Sequence, residues 1–115
     1  MPDEPSSKPK GLPAATVAKI AEFIDYQKGA VVSREIVKRS GGSVTLFAFD
    51  EGEGLTEHTS PFDAIVQILE GTADITVAGK SHRLQAGEMI LMPALQLHAL
   101  IAPSRYKMIL TMIKP

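Results

Sequence analysis

Two histidine-bearing segments constrain this chain more than any other feature. The first runs from Gly52 to Gly71 (GEGLTEHTSPFDAIVQILEG), and the second runs from Gly87 to His98 (GEMILMPALQLH). Each histidine follows a glycine-marked turn and lies beside apolar residues with strand character. A short run, TADITVAGKSHRLQA, separates the segments, so the chain has to fold back to bring His58 and His98 together. If it does so, the two histidines line one pocket.

The apolar runs in and between these segments predict short strands joined by turns. The four predicted strands are Asp63 to Leu69, Asp74 to Ala78, Ser81 to Leu84 and Met89 to Met92. Glu70-Gly71 is predicted to turn the chain between the first two strands. Pro93 ends the fourth strand because proline has no amide hydrogen to donate. Short strands with regularly spaced turns are typical of an antiparallel sandwich or barrel.

The spacing of the two segments resembles the paired motifs of the cupin superfamily. The glycine, two histidines, glutamate and glycine of the first family motif fall at Gly52, His58, Ser60, Ala64 and Gly71. The glycine, proline, glycine, histidine and asparagine of the second fall at Gly87, Pro93, Leu95, His98 and Ala102. The spacing fits throughout, whereas the side chains differ from the family pattern at Ser60, Ala64, Leu95 and Ala102.

The resemblance extends over about residues 30 to 113 and is closest to the small RmlC-like members of the superfamily. It implies an all-β fold, an antiparallel jelly-roll β-barrel with a pocket in its interior, and in many members a homodimer. It does not imply one activity, because cupins include dioxygenases, isomerases, epimerases, sugar binders and ligand-sensing domains.

The resemblance also implies a metal centre in members that keep all the ligands. There, histidines and a glutamate surround Fe, Mn, Ni, Cu or Zn. This chain has His58 and His98 at two of those positions, whereas Ser60 offers only a weak neutral oxygen and Ala64 offers no ligand. Two imidazoles fall short of the three or four protein ligands that such sites use. A divalent transition metal therefore needs a further ligand, and Asp63 is predicted to point to the opposite face of its strand.

The candidate ligand pocket is predominantly apolar. Its predicted residues are His58, Ser60, Ala64, Val66, Ile68, Met89, Leu91 and His98. Phe47 or Leu46, and Met108 or Met112, are alternatives for the rest of the wall. A second interpretation stays open, in which the histidines are buried polar groups bonded to each other, to Ser60 or to water, and the methionines fill the barrel core.

Length and composition predict one domain, residues 14–115, after a flexible proline-rich arm, residues 1–13. With 115 residues and 44% hydrophobic content the chain can bury a core without disulfides, and it contains no cysteine. The net charge of −1 favours neither nucleic acid nor a membrane surface as a partner. No apolar run is long enough to span a membrane and no leader pattern is present at Met1, so a cytoplasmic location is expected.

Two strands are apolar on both faces. Ser43 to Phe49 alternates apolar residues on one face with Thr45, Phe47 and Phe49 on the other, and Tyr106 to Ile113 shows the same property. Such strands are covered on both sides. A second subunit is one candidate for the second cover, which predicts a homodimer. The segment Ala14 to Ile24 fits both helical and strand spacing, and a short helix or turn before the first strand is expected.

Three classes of function follow from these features. The first is a small-molecule binding protein in which His58 and His98 orient one polar group of a ligand in an apolar barrel. The second is a metal-dependent dioxygenase or isomerase with an incomplete two-histidine site. The third is a structural or interaction module whose barrel is filled and whose dimer face is functional. The loss of two ligands disfavours the second class, and the two histidines disfavour the third, so the sequence favours the first.

Overall fold

The structure is a computed structural model, and it describes residues 11–115. Most of the predicted N-terminal arm, residues 1–10, lies outside the described residues. A short 3₁₀ turn, Ile20–Glu22, precedes eight strands. The strands are β1 (Val31–Arg39), β2 (Gly42–Phe49), β3 (Gly54–His58), β4 (Asp63–Val77), β5 (Lys80–Gln85), β6 (Met89–Met92), β7 (His98–Ile101) and β8 (Tyr106–Ile113). The predicted all-β jelly roll is confirmed, and no helix of the described part is long and apolar enough to cross a membrane.

Strand β4 joins the two halves of the curled antiparallel sheet. Its first half pairs with β8 and β6, and its second half pairs with β5 and β7. Strand β2 lies between β1 and β8, and β3 pairs with β7. The sheet therefore folds over along β4, which places β3 and β7 opposite β2 and β8 and encloses an interior.

The predicted turn at Glu70-Gly71 is wrong, because the chain continues there as one strand of 15 residues. A shift of register lies between Ile68 and Glu70 where β4 faces β8, and Gly71 has a φ of +80°. A Cβ at Gly71 would meet the carbonyl oxygen of Arg105 and the backbone of Tyr106. The glycine lets the strand bend against the start of β8 and pass from one half of the sheet to the other.

The barrel interior is filled by side chains from every second residue of the central strands. Val66 on β4 and Ile75 further along the same strand are fully buried, as is Tyr106 on β8. The rings of Phe49 and Tyr106 stack with a centroid separation of 4.5 Å. This end of the interior is packed with side chains, whereas the end nearer the histidines is less completely filled.

The outer face of β2 is covered by the chain itself. Ile24, just after the 3₁₀ turn, packs with Leu46 and Ala48 in a second apolar cluster. The Nζ of Lys107 donates to the carbonyl oxygen of Ala21 at 2.5 Å and anchors this segment to β8. A second subunit was one candidate for the cover of this face of β2, and the N-terminal segment covers Leu46 and Ala48 instead. Homodimerisation itself stays a prediction.

Replacing Gly71 with alanine should destabilise the protein far more than replacing Gly79. Both glycines have a φ of +80°, so the backbone strain of alanine, about 1 kcal/mol, is similar at the two positions. Of these two positions, Gly71 is the one at which an added Cβ would meet backbone atoms. At Gly79 nothing lies within 4 Å of an added Cβ. We expect G71A to lose at least about 2 kcal/mol more than G79A in the free energy of unfolding, measured with urea. Equal losses would contradict the close approach of β4 and β8.

Candidate functional site

The structure brings His58 and His98 into direct contact. His58 is the last residue of β3 and His98 is the first residue of β7, and the two face each other across this antiparallel pair. Their Nε2 atoms are 3.1 Å apart, and the rings meet edge to face with centroids separated by 4.3 Å. A register shift between Leu55 and His58 sets the pairing, so that His58 reaches the same level as His98.

The two rings differ in exposure but share one kind of anchor. His98 is buried, with 5% of its surface exposed, whereas His58 is exposed. The Nδ1 of His58 lies 2.6 Å from the carbonyl oxygen of Thr56, and the Nδ1 of His98 lies 3.3 Å from that of Gln96. Burial, and then the neighbouring His58, lower the pKa of His98 below the ordinary histidine value. The buried ring is therefore favoured in its neutral form.

Beside this pair lies a cavity of about 370 Å³. Its polar side is formed by the two histidines with Thr59 and Ser60, and all its other lining residues are apolar. The lining residues are Phe47, Leu55, His58, Thr59, Ser60, Pro61, Ala64, Met92, His98, Leu100, Met108, Leu110 and Met112. No charged side chain lines this cavity within the described chain.

Four of the predicted pocket residues line the cavity, and four do not. His58, Ser60, Ala64 and His98 line it. Val66 and Ile68 share the inward face of β4 with Ala64, but they belong to the packed core and do not line the cavity.

The prediction for Met89 and Leu91 is wrong, because these side chains are 59% and 57% exposed. In the register of β6 against β4, Met92 faces Ala64 and takes an inward place. All four residues of β6 are apolar, so the sequence offers no alternation from which to choose the inward face.

Several residues that line the cavity were not predicted from the sequence, or were predicted only as alternatives. Leu100 lies two residues after His98 and therefore on the same face of β7, a signal that period-two alternation supplies. Leu55 is separated from His58 by the register shift, and nothing in the sequence marks that shift. Of the alternatives for the wall, Phe47 lines the cavity whereas Leu46 lies in the outer cluster, and Met108 and Met112 both line it.

Two loops that carry the histidines are tied together at the mouth of the cavity. The amide of Leu95 donates to the carbonyl oxygen of Ser60 at 2.8 Å, and the amide of Ala94 donates to Oδ1 of Asp63 at 2.8 Å. Leu95 stands at the family's glycine position and still adopts a φ of +68°. The hydrogen bond from the Leu95 amide to Ser60 helps to hold this strained backbone conformation. Asp63 therefore bonds the neighbouring loop, and it does not join the histidine pair.

The donor set does not fit a resident divalent metal. Across residues 11–115 no group of three His, Cys, Asp or Glu side chains could hold an ion. Ser60 Oγ already accepts a hydrogen bond from the amide of Phe62 at 3.1 Å. Ala64, at the position of the family's glutamate, is flanked across the sheet by Met92 and Met112. Thioethers and imidazoles together suit copper(I) better than Fe, Mn, Ni or Zn.

Comparison with known proteins identifies the family of this β-barrel. The profile of the cupin domain matches residues 45–114, and the chain belongs to the cupin family. A conserved protein of unknown function from Streptococcus pyogenes is 34% identical, with 92% of this chain and 93% of that one covered and a TM-score of 0.87. A cupin superfamily protein from Desulfitobacterium hafniense is 26% identical over 95% of this chain and 100% of that one, with a TM-score of 0.85.

A cupin 2 conserved barrel domain protein from Leptotrichia buccalis is 35% identical, with 82% of this chain and 46% of that one covered and a TM-score of 0.80. The search of curated proteins found no match. These similarities establish the fold and the family, and they do not identify a ligand.

The free energy of unfolding should fall between about pH 7.5 and pH 5 in a way that depends on His98. Because the pKa of His98 is lowered in the folded protein, the unfolded chain binds the proton more readily, and stability is lost as the pH falls below the ordinary histidine pKa of about 6.5. In His98→Gln this part of the pH dependence should disappear. His82→Gln, which removes the histidine of β5, is the control. If the pH profile of His98→Gln matched that of the unmutated protein, His98 would bind its proton equally well in the folded and the unfolded chain. That result would contradict the lowered pKa.

Proposed function

We propose that this cupin is a small-molecule binding protein, and that its ligand occupies the barrel cavity with one polar group against His58 and His98. The observation that carries the proposal is the contact between the two Nε2 atoms at 3.1 Å beside a cavity with otherwise apolar walls. The polar pair orients a ligand, and the apolar wall supplies the larger part of the affinity through burial.

The dimensions of the cavity limit the size of the ligand. About 370 Å³ is near the lower end of the range for small-molecule sites, which favours a compact molecule with one ring or a short branched chain. Met92, Met108 and Met112 contribute unbranched side chains that adapt to an irregular guest. The homodimer expected from the family is compatible with this function.

Two other functions compete with binding. A metal-dependent cupin enzyme would use the same two histidines, but the described part of the chain brings no third ligand of the kind that such an enzyme needs to them. A purely structural or interaction module requires a filled barrel. The cavity beside the histidines argues against that module, since a protein interior without a ligand-binding role is normally packed to few voids.

Methionine methyl groups can report whether an apolar molecule enters the barrel. The chain has five methionines, of which Met92, Met108 and Met112 line the cavity whereas Met89 is 59% exposed on the outer face. In protein labelled with ¹³C at the methionine methyls, toluene should shift the three cavity signals through its ring current and leave that of Met89 in place. Shifts of similar size at all positions, or none near the solubility limit of toluene, would contradict the proposal.

A variant that fills the cavity makes this experiment specific. Ala64 is 2% exposed and lines the cavity, so Ala64→Leu should occupy the space and abolish the shifts caused by toluene. Ala86 lies exposed in the turn between β5 and β6, and Ala86→Leu should leave the shifts unchanged. If Ala64→Leu and Ala86→Leu bound toluene equally well, toluene would bind outside this cavity, and the proposal would be contradicted.

Metal analysis separates binding from metal-dependent catalysis. Protein purified without tag or chelator should contain far less than one equivalent of Fe, Mn, Ni, Cu or Zn per chain, measured by inductively coupled plasma mass spectrometry, because among residues 11–115 only two strong ligands converge. About one equivalent that is lost in both His58→Ala and His98→Ala would favour the enzyme instead. Copper as the bound metal would agree with the neighbouring thioethers.

A further inference from the structure

The backbone carbonyl groups favour one tautomer of each histidine. Each Nδ1 faces the carbonyl oxygen two residues earlier in the chain, that of Thr56 for His58 and that of Gln96 for His98. A carbonyl oxygen only accepts hydrogen bonds, so each of these contacts favours hydrogen on Nδ1. A neutral imidazole carries only one N–H. In this tautomer both rings present an unprotonated Nε2, with its lone pair directed away from the backbone anchor.

These two acceptors face each other with no donor between them. The Nε2 atoms are 3.1 Å apart, and within residues 11–115 neither has another hydrogen-bond partner. Two lone pairs at this distance repel each other, and the buried one of the two acceptors, Nε2 of His98, costs about 1–3 kcal/mol when it lacks a donor. A hydrogen placed against both nitrogens relieves the repulsion and satisfies both acceptors. The pair is thus built to receive a donor.

The rest of the cavity argues against an anion as the guest. None of the lining side chains is an arginine, a lysine, an aspartate or a glutamate, and the remaining polar side chains are the hydroxyls of Thr59 and Ser60. A carboxylate or phosphate would lose its hydration without gaining a counter-ion, which is strongly unfavourable in an apolar interior. It would also meet two acceptor lone pairs.

We propose that the ligand is an uncharged apolar molecule whose polar end is a hydrogen-bond donor, an alcohol or a phenol, and that its hydroxyl hydrogen lies against the Nε2 atoms of His58 and His98. This inference rests on the proposed binding function and names the class of ligand. The hydroxyl donates to the pair, and the rest of the molecule lies against the leucine, methionine and phenylalanine side chains of the wall.

The tautomers can be measured before any ligand is added. Two-bond ¹H–¹⁵N spectra at about pH 8 should show hydrogen on Nδ1, and none on Nε2, in both His58 and His98, and His82→Gln identifies the signal of the third histidine. Hydrogen on Nε2 of either neutral ring would mean that the pair already forms a complete internal hydrogen bond. A protonated ring at this pH would mean that the pair already shares a proton. Either result would overturn the inference.

Phenol and toluene provide a matched pair of probes, because they have nearly the same size and differ by a hydroxyl in place of a methyl group. Their dissociation constants can be measured from the signals of Met92, Met108 and Met112. In His58→Ala, the preference for phenol over toluene should fall by about threefold to tenfold, which is the contribution of one hydrogen bond. His82→Ala, on β5, should leave the preference unchanged. An unchanged preference in His58→Ala would overturn the inference.

Benzoate tests the exclusion of anions. At concentrations at which phenol saturates the cavity, benzoate should leave the signals of the three cavity methionines in place. Tighter binding of benzoate than of phenol would overturn the inference. Failure of the proposed ligand class can be told apart from failure of the binding function. If the binding function is wrong, toluene also leaves the signals of the cavity methionines unshifted.

Discussion

Strand β4 bends at Gly71, and this bend sets how the two halves of the sheet close over each other. This strand pairs with four others, two in each half of the sheet, and it passes between the halves at Gly71. A side chain there would collide with the backbone at the start of β8, so the two strands approach as closely as they do only because the residue is glycine. The second half of β4 pairs with β7, and His98 on β7 lines the same cavity as Ala64 in the first half of β4.

How much of the site could be predicted from the sequence depends on whether a motif position marks the inward face of a strand. The inward face of β4 was predictable because Ala64 falls at the family's glutamate position and Val66 and Ile68 share its parity, and all three are buried. Strand β6 gave no such signal, and Met89 and Leu91 were placed on the wrong face. The sequence predicts a turn at Gly71, because a glycine after a strand indicates a turn and a bend within a strand equally well.

The segment that covers the outer face of β2 could not be predicted from sequence patterns, for a different reason. Ile24 packs on Leu46 and Ala48, but the segment that carries it forms only a short 3₁₀ turn and so has no sustained period. Its position is held by tertiary contacts, including the bond from Lys107 Nζ to the Ala21 carbonyl oxygen. A lysine in an apolar strand is normally interpreted as solvent-facing, whereas Lys107 is only 7% exposed.

The substitution at the family's glutamate position changes more than the number of metal ligands. With Ala64 in place of a carboxylate, and Met92 and Met112 on either side, this part of the wall carries no charge. The two histidines keep their backbone anchors, so their Nε2 atoms still converge although the rest of the ligand set is missing.

Specificity is a difference between affinities, and it can be obtained by disfavouring the wrong ligand as well as by favouring the right one. An uncharged wall beside two acceptors disfavours the binding of anions. Because the wall offers no carboxylate, it also contributes little to the binding of cations. The loss of metal ligands and the gain of selectivity for a neutral donor are therefore two consequences of the same substitutions.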